Sequence, residues 1–302
     1  TQSSEGTTIA LGWAGAHVAA DIGTSPLGFG VKNMLGGISV NGKNLGIGWT
    51  LTASRRPMTN SLLSYAGARD PLTGLRWGGV TASGVSLNLS HDHGGDHGLW
   101  GLLGHHHVNG LRVADNKRMR AMGGYYHRLI NRPDEQLRVG INLLHWRYDR
   151  NLSGYSLGHG GYYSPQNYVS VGLPVSYSRR GPHWSFQVEG SVSHAWARTD
   201  DERVYPVGSV NRTLLERYGP LAWHTLDQIR RGGKSKGIGY RAQAQLERRL
   251  GSHWVAGAAI TVQRSEDYAP NQALLYLRYN FTPWLGRMPL PVNALDPYGD
   301  WR

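Results

Sequence analysis

The chain has 302 residues, a formal charge of +12 from 32 Lys and Arg against 20 Asp and Glu, and no cysteine. The missing cysteine excludes disulfides, thiolate catalysis and thiolate metal sites. The basic residues are spread along the chain, which argues against nucleic acid as a partner. No stretch approaches the ~20 apolar residues of a membrane helix. Mean hydropathy is −0.43, a value that a membrane β-barrel can share with a soluble protein because only alternate residues are apolar.

Alternation of apolar and polar residues dominates the chain and predicts about twelve β-strands. The clearest segments, in chain order, are residues 45–55, 85–90, 137–146, 169–177, 183–192, 237–249 and 274–281. Such strands run ~9–14 residues, longer than the ~5–6 usual in globular sheets and close to the ~9–11 of a tilted membrane strand. Helical periodicity is confined to residues 212–231, which predict a short helix.

The predicted connections alternate between short turns and long loops. Long loops are expected at residues 59–77, 151–167 and 199–235, whereas "HDHGGDH" (91–97) is longer than its place in the series predicts. Short turns at one end and long loops at the other are typical of outer-membrane barrels and place the last strand's end on the periplasmic side. Trp49, Trp184 and Trp254 lie beside turns, as an interfacial aromatic girdle requires. Pro174, inside a strand pattern, predicts a bulge.

Two histidine-rich segments are possible metal sites. Residues 91–97 carry three His and two Asp that could bind a divalent cation, but the spacing is loose and equally fits a polar turn. His105, His106 and His107 lie on a predicted strand, so His106 points away from its neighbours. We therefore predict no metal and no cofactor. No local motif combines a Ser or Thr nucleophile with His and an acid, so no enzyme is predicted.

Four stretches carry a resemblance to a known family. They are "DIGTSPLGF" (21–29), "SRRPMTNSLLSYAGARDPLTGLRWGGV" (54–80), "NLSGYSLGHGGYYSPQNY" (151–168) and "DYAPNQALLYLRY" (267–279). They resemble the C-terminal domain of cellulose synthase operon protein C, the outer-membrane subunit of bacterial cellulose secretion, and the resemblance spans nearly the whole chain. It implies a barrel of about sixteen strands that conducts a growing cellulose chain, preceded by a periplasmic array of tetratricopeptide helices.

The predicted fold is therefore all-β, a transmembrane antiparallel β-barrel of the bacterial outer membrane, in residues 1–281. About twelve strands are fewer than the sixteen that the family implies, so roughly four N-terminal strands are expected to lie outside this chain. Residues 282–302 contain four prolines and predict an extended tail at the periplasmic mouth or in the lumen, with a frayed terminus as the alternative. Its aromatic residues, which favour order, are Trp284, Tyr298 and Trp301.

The polar strand faces predict the residues that line the lumen. A neutral sugar polymer would be held there by hydroxyl hydrogen bonds and by stacking on aromatic rings. The candidates are Trp146, Tyr148, Tyr276, Arg241, Gln243, Gln245, Glu247, Gln187, Glu189, Arg118, Arg120, Arg138, Asn142 and Arg278. For the charged members we favour ion pairs that brace the wall, and for Trp146 and Tyr276 we favour contact with sugar.

The glycine-rich loop at residues 151–167 predicts an exit gate, and a packed loop that only narrows the pore is the alternative. Its candidate residues are Tyr155, Tyr162, Tyr163 and Gln166. The implied partners are a cellulose chain, outer-membrane lipid and lipopolysaccharide, and the periplasmic and inner-membrane synthase subunits, reached through the N-terminal repeats. Two other functions remain open, a general or other polysaccharide porin and a soluble carbohydrate-binding β-sandwich. Conductance block by cello-oligosaccharides and dependence on detergent separate them.

Overall fold

The computed structural model of the chain describes residues 2–71, 73–207, 212, 216, 228–264, 271–292, 295 and 298. Antiparallel β-structure dominates these residues. The strands are β1 (Ala10–Ala14), β2 (Val18–Thr24), β3 (Met34–Asn44), β4 (Ile47–Pro57), β5 (Ala68–Arg69), β6 (Arg76–His91), β7 (His97–Leu111), β8 (Asn116–Arg132), β9 (Glu135–Tyr148), β10 (Asn167–Arg180), β11 (Trp184–Thr199), β12 (Glu202–Arg203), β13 (Ile229–Arg230), β14 (Gly233–Arg249), β15 (Trp254–Arg264) and β16 (Asn271–Tyr279). A five-residue helix, α1 (Leu62–Ala66), interrupts them.

Thirteen of the described strands form one antiparallel meander. Its order is β1-β2-β3-β4-β6-β7-β8-β9-β10-β11-β14-β15-β16, while β5 pairs with β6 and β12 pairs with β13. When the short β5, β12 and β13 are left out, each strand pairs with the next strand along the chain. Within the described residues β1 and β16 do not pair with each other.

The two faces of the meander have opposite polarity. On β14, Ile238 is 69% exposed and Leu246 is also exposed, whereas Glu247 is fully buried. On β16, Leu275 is 84% exposed while the neighbouring Tyr276 points to the other side, where its hydroxyl meets Glu247. A soluble sandwich buries its apolar face, so an exposed apolar face with a buried polar face contradicts the β-sandwich alternative and agrees with a membrane barrel.

The sheet curls so that its polar face encloses a cavity of about 950 Å³. Residues from both ends of the meander line this cavity, with Asp21, Ser39 and Thr52 on β2, β3 and β4, and Gln243 and Gln245 on β14. Strands that are distant in the meander therefore face each other across one interior, which we call the lumen. The predicted all-β antiparallel fold is confirmed, while no pairing between the described β1 and β16 closes the sheet.

The connections follow the predicted alternation. The short-turn end holds the β3–β4 and β8–β9 turns, of two residues each, and the β10–β11 turn of three. The long-loop end holds the β4–β6 connection with α1, the β9–β10 connection at residues 149–166 and the β11–β14 connection. Among the described residues no helix is long and apolar enough to cross a membrane.

Four details of the fold differ from the sequence predictions or lie beyond them. The meander has thirteen described strands where about twelve were predicted. Pro174 makes no bulge: the registers with both neighbours are continuous, and the ladder to β9 only lacks pairs at Leu173 and Pro174. Register shifts occur instead at Gly78/Thr81 and at Arg128/Ile130.

The last strand ends at Tyr279, two residues before Phe281. The helix predicted within residues 212–231 falls mostly outside the described residues, and Ile229–Arg230 are β13.

Candidate functional site

The lumen wall brings together neutral hydrogen-bonding side chains from separate strands. Asn142, Ser176, Gln243 and Gln245 line the cavity on one side, and Ser39 lies on the other side with Thr52. Five of the predicted lumen residues line the cavity, and they are Asn142, Glu189, Arg241, Gln243 and Gln245. Strand alternation puts them there, because residues two apart share a face.

Several charged lumen residues brace the wall. Glu247 is fully buried and accepts hydrogen bonds from the Tyr276 hydroxyl at 2.7 Å and from Arg278 at 2.8 Å. Arg241 donates to Gln243 at 2.8 Å, and Gln187 donates to Glu189. A buried carboxylate is tolerated only when it is paired and hydrogen-bonded, so this cluster fixes β14 against β16.

Arginines gather on the lumen face of β8 and β9. Arg118 and Arg120 are opposite Tyr148 and Trp146 in the strand register. Arg138 lies over the Tyr126 ring at 5.7 Å. Trp146 packs on Tyr168 with ring centroids 5.0 Å apart, which makes an aromatic surface on this side of the lumen.

The tail crosses the short-turn end of the lumen. Arg249 donates to the carbonyl of Gly286 at 2.6 Å, Arg180 to that of Met288 at 2.9 Å, and Ser185 to that of Pro289 at 2.6 Å. Met288 is fully buried, and the Arg249 guanidinium lies 5.8 Å from the Trp284 ring centroid. These bonds engage backbone carbonyls that an extended proline-rich segment cannot satisfy internally.

Farther along, Tyr298 joins an ion pair on the opposite wall. Arg56 donates to both carboxylate oxygens of Asp21, at 2.7 and 2.6 Å, and the Tyr298 hydroxyl donates to Asp21 at 2.9 Å. Burial and this hydrogen bond raise the pKa of Tyr298 to about 12. Sequence reasoning missed Asp21 and Arg56, although each falls on the polar face of its strand. Trp301 lies outside the described residues.

Apolar side chains fill the long-loop end of the lumen. The cluster, which we call the cap, contains Met58, Leu63, Trp77, Val80, Ala82, Val108, Val113, Ala114, Tyr148, Leu152, Leu157 and Tyr162. Tyr148 is only 2% exposed, its ring 5.6 Å from that of Tyr162. The Tyr162 hydroxyl accepts from Asn116 at 3.1 Å, and burial raises its pKa. Neither Tyr148 nor Tyr162 can reach a sugar while the cap is packed. The sequence pattern did not predict this, because alternation indicates the side of a strand on which a residue lies but not the loops that cover it.

The other predicted loop residues differ in exposure. Tyr155 is 66% exposed. Tyr163 is partly exposed and makes an edge contact with Tyr168 at 6.2 Å. Gln166 is buried and donates to the Ser164 carbonyl at 2.9 Å, while its Oε1 accepts from the Asp200 amide at 2.8 Å. The loop therefore leaves the rings of Tyr155 and Tyr163 exposed, and Gln166 ties the loop backbone to that of Asp200.

A buried polar cluster ties the β9–β10 loop to the β12–β13 hairpin. His159 Nε2 donates to the Arg203 carbonyl at 2.8 Å. Its Nδ1 lies 3.7 Å from Glu202, which Arg230 also contacts at 2.9 Å. Burial lowers the pKa of His159 and raises that of Glu202. Trp77 Nε1 donates to the His159 carbonyl at 3.2 Å, which joins this cluster to the cap.

The histidine-rich turn between β6 and β7 has a structural role for its aspartate. Asp92 accepts hydrogen bonds from Tyr126 and Arg128 on β8, and the Arg128 hydrogen bond holds its pKa well below the usual range. In the part of the chain that is described, no three His, Asp or Glu side chains converge as a metal site requires. On β7, His106 is buried on the lumen face while His105 and His107 are exposed on the other face.

Comparison with known proteins gives consistent matches. The family model of the cellulose synthase operon protein C C-terminus matches residues 1–282. Cellulose synthase operon protein C of Escherichia coli strain K12 is 43% identical over 305 residues, which covers 100% of this chain and 26% of that protein. The protein of the same name from Salmonella typhimurium is 41% identical over 303 residues, 100% of this chain and 25% of that protein. This chain thus spans about a quarter of the length of these relatives.

A solved structure shares the fold. A bacterial polysaccharide outer membrane secretin aligns with a TM-score of 0.54 at 9% sequence identity, over 90% of this chain and 77% of that chain. At this identity the likeness concerns the fold alone.

Proposed function

Because the chain belongs to the family of the cellulose synthase operon protein C C-terminus, we propose that it forms an outer-membrane channel that conducts nascent cellulose from the periplasm to the cell surface. The observation that supports this most is the lumen: a polar interior with an exposed apolar exterior, lined by neutral amide and hydroxyl groups. The proposed location is the bacterial outer membrane, with the long-loop end outside.

The lumen chemistry suits a neutral polyhydroxylated chain. Asn142, Gln243 and Gln245 each offer donors and acceptors, and Ser39 and Ser176 offer hydroxyls, so a glucan can exchange one hydrogen bond for another as it advances. A conduit must bind weakly at many similar places, or the polymer would stop. The Trp146–Tyr168 surface adds a place for the apolar faces of the sugar ring.

We propose a passive role rather than catalysis. Glu247 is held by Tyr276 and Arg278, and Asp21 by Arg56 and Tyr298. Both carboxylates are engaged by an arginine and by a tyrosine hydroxyl, which suits bracing of the wall better than donation of a proton to a glycosidic oxygen.

The remaining partners follow from the family. We propose that further N-terminal strands complete the wall between β16 and β1, and that helical repeats outside this chain connect the channel to the periplasmic and inner-membrane synthase subunits. In the proposed complex the synthase supplies the driving force and the lumen supplies the path. The tail would then lie along that path from the periplasmic mouth.

Export by living cells tests the proposal. In the full-length protein, Gln243→Leu with Gln245→Leu removes two lumen amides, and Ala242→Leu with Ala244→Leu is the matched control on the lipid-facing side of β14. We expect the lumen variant to lose surface cellulose several-fold and the control to keep it, with glucan-binding dye as the readout. Heat-modifiable gel mobility reports the amount of folded barrel. Equal amounts of surface cellulose from the two variants would contradict the proposal.

Ion current separates a cellulose channel from a general porin. In planar bilayers, the full-length protein with Leu157→Ala, which loosens the cap, should show current that cellohexaose blocks and maltohexaose blocks less. Equal block by the two sugars would favour a general polysaccharide porin.

A further inference from the structure

Cations line the outer face of the sheet at its long-loop end. One row across four strands holds Arg147 on β9, Asn167 on β10, Arg198 on β11 and Lys234 on β14. Asn167 pairs with Arg198 and Arg198 with Lys234, while Arg147 and Asn167 each lie next to a member of the Trp146–Tyr168 pair. In the next row, toward the middle of the sheet, stand His145, Val169, Trp196 and Lys236. We call these two rows the basic rim; apart from Val169, its members are all exposed.

We propose that the basic rim binds the phosphorylated headgroup of lipopolysaccharide, an inference that rests on the membrane orientation proposed above. Neighbouring strands are ~4.8 Å apart, so the row from Arg147 to Lys234 spans roughly 14 Å. That width exceeds a single phosphate and suits a headgroup with more than one. Arginine and lysine are the side chains that pair best with phosphate oxygens.

Carboxylates offset the charge of the basic rim only in part. Asp200 contacts Arg198, with Nε and Oδ1 3.5 Å apart and both side chains more than half exposed. Asp149 follows Arg147 by two residues. The four Arg and Lys side chains of the rim therefore keep a net positive charge.

Apolar surface for acyl chains begins directly below the rim. The next row holds Leu143, Val171, His194 and Ile238, and the row after it holds Leu173, Val192 and Tyr240 on β10, β11 and β14. Trp196 stands at the border, 46% exposed and packed on His194 at 4.4 Å. Indole rings favour the level where headgroups meet hydrocarbon, so the order of the rows is cation, indole, hydrocarbon.

The opposite rim of the same strands has a smaller excess of positive charge. There Arg179 faces Glu135 in the β9–β10 register, and Glu135 also accepts from the Tyr177 hydroxyl at 2.8 Å. Arg248 faces Trp184. The difference between the rims is what a membrane with more phosphate in one leaflet would require.

Binding of purified lipid tests the proposal. The full-length protein in nonionic detergent is titrated with bisphosphorylated lipid A, with its dephosphorylated form and with phosphatidylglycerol, and bound lipid is counted by native mass spectrometry. The variant Arg198→Gln with Lys234→Gln removes two rim cations, and Arg179→Gln with Arg248→Gln removes two from the opposite rim. Lys234→Arg with Lys236→Arg keeps the charge.

We expect lipid A to bind roughly tenfold more weakly to the Arg198→Gln/Lys234→Gln variant, with binding retained by the opposite-rim and charge-keeping variants. Dephosphorylated lipid A should bind weakly to all of them. The proposal is overturned if the two Gln variants bind lipid A equally well. It is also overturned if phosphatidylglycerol binds the wild-type protein as tightly as lipid A and its binding falls as much in the Arg198→Gln/Lys234→Gln variant. Because this assay involves no transport, it can fail while lumen variants still reduce export, and the reverse holds as well.

Discussion

The two ends of the lumen are closed by different kinds of contact. At the long-loop end, apolar side chains such as Trp77, Leu157 and Tyr162 pack into the cap. At the short-turn end, Arg180 and Arg249 donate hydrogen bonds to the carbonyls of the tail. The first closure removes a large apolar surface from water. The second rests mainly on hydrogen bonds to backbone carbonyls, with Met288 as a buried apolar contact.

This difference predicts different behaviour. Opening the cap exposes apolar area to water again, at a free-energy cost of ~25 cal/mol per Å², so a ligand must offset that cost. Hydrogen bonds in contact with water contribute only about 0.5–1.5 kcal/mol each, or ~1.5–3 when one group is charged. The tail should therefore exchange with solvent or with a sugar chain far more readily than the cap.

The largest effect is expected from a hole in the cap. Leu157→Ala removes a fully buried side chain, and such changes reduce stability by ~2–5 kcal/mol. We expect faster protease cleavage in residues 149–166 and a higher ion current. The control is Tyr155→Ala in the same loop, where the side chain is exposed and the change should stay within about 0.5 kcal/mol. If both variants are cleaved at the wild-type rate, burial does not hold the cap closed.

An intermediate effect is expected from shortening the tail. Deleting residues 290–302 removes Tyr298 from Asp21 and leaves every strand ladder intact. The barrel should insert normally, whereas export of cellulose should fall if the tail guides the polymer into the lumen, as we propose. Folded protein is measured by gel mobility and export by surface cellulose. Normal export would show that the tail has no part in transport.

The smallest effect is expected from acidification of the cluster behind the cap. Burial lowers the pKa of His159 from 6.5, so an opened loop takes up a proton that the docked loop resists, and docking weakens as the pH falls below 6.5. The raised pKa of Glu202 acts in the opposite direction, since the docked loop then binds the proton more readily.

The two contributions can be separated. In a Glu202→Gln background, the amide protection of residues 149–166, corrected for the intrinsic pH dependence of exchange, should fall between pH 7.5 and 5.5. The loss of docking free energy is at most about 1.4 kcal/mol for each unit of pKa difference. Adding His159→Gln should abolish this dependence. If the pH dependence persists in the Glu202→Gln/His159→Gln variant, another titratable group causes it.

The sequence was sufficient for the sides of the strands. On β14 the alternation placed Gln243, Gln245 and Glu247 on the polar face, and all three point inward. Alternation is local, because neighbouring side chains must leave a strand on opposite sides. Alternation cannot predict how exposed each inward side chain is. Glu247 is buried beneath Tyr276 whereas Gln243 lines the cavity, although the two residues are only four apart on the same face.

Contacts between distant segments were beyond the sequence. Tyr298 meets Asp21 across 277 residues, and no periodicity encodes such a pair. The same holds for Tyr148, predicted for the lumen and buried beneath the β9–β10 loop. The prediction of a bulge at Pro174 was wrong for another reason. The strand keeps its register and lacks ladder pairs at this point, and no extra residue is inserted.

Site-specific photocrosslinking during synthesis tests the central claim most directly. A benzoylphenylalanine placed at Gln243 points into the lumen, and one placed at Ala242, the next residue on β14, points to the lipid. We predict a cellulase-sensitive adduct of high mass from position 243 of the full-length protein and none from position 242. No adduct at position 243 in cells that still export cellulose, or equal adducts at both positions, would contradict the passage of the polymer through this lumen.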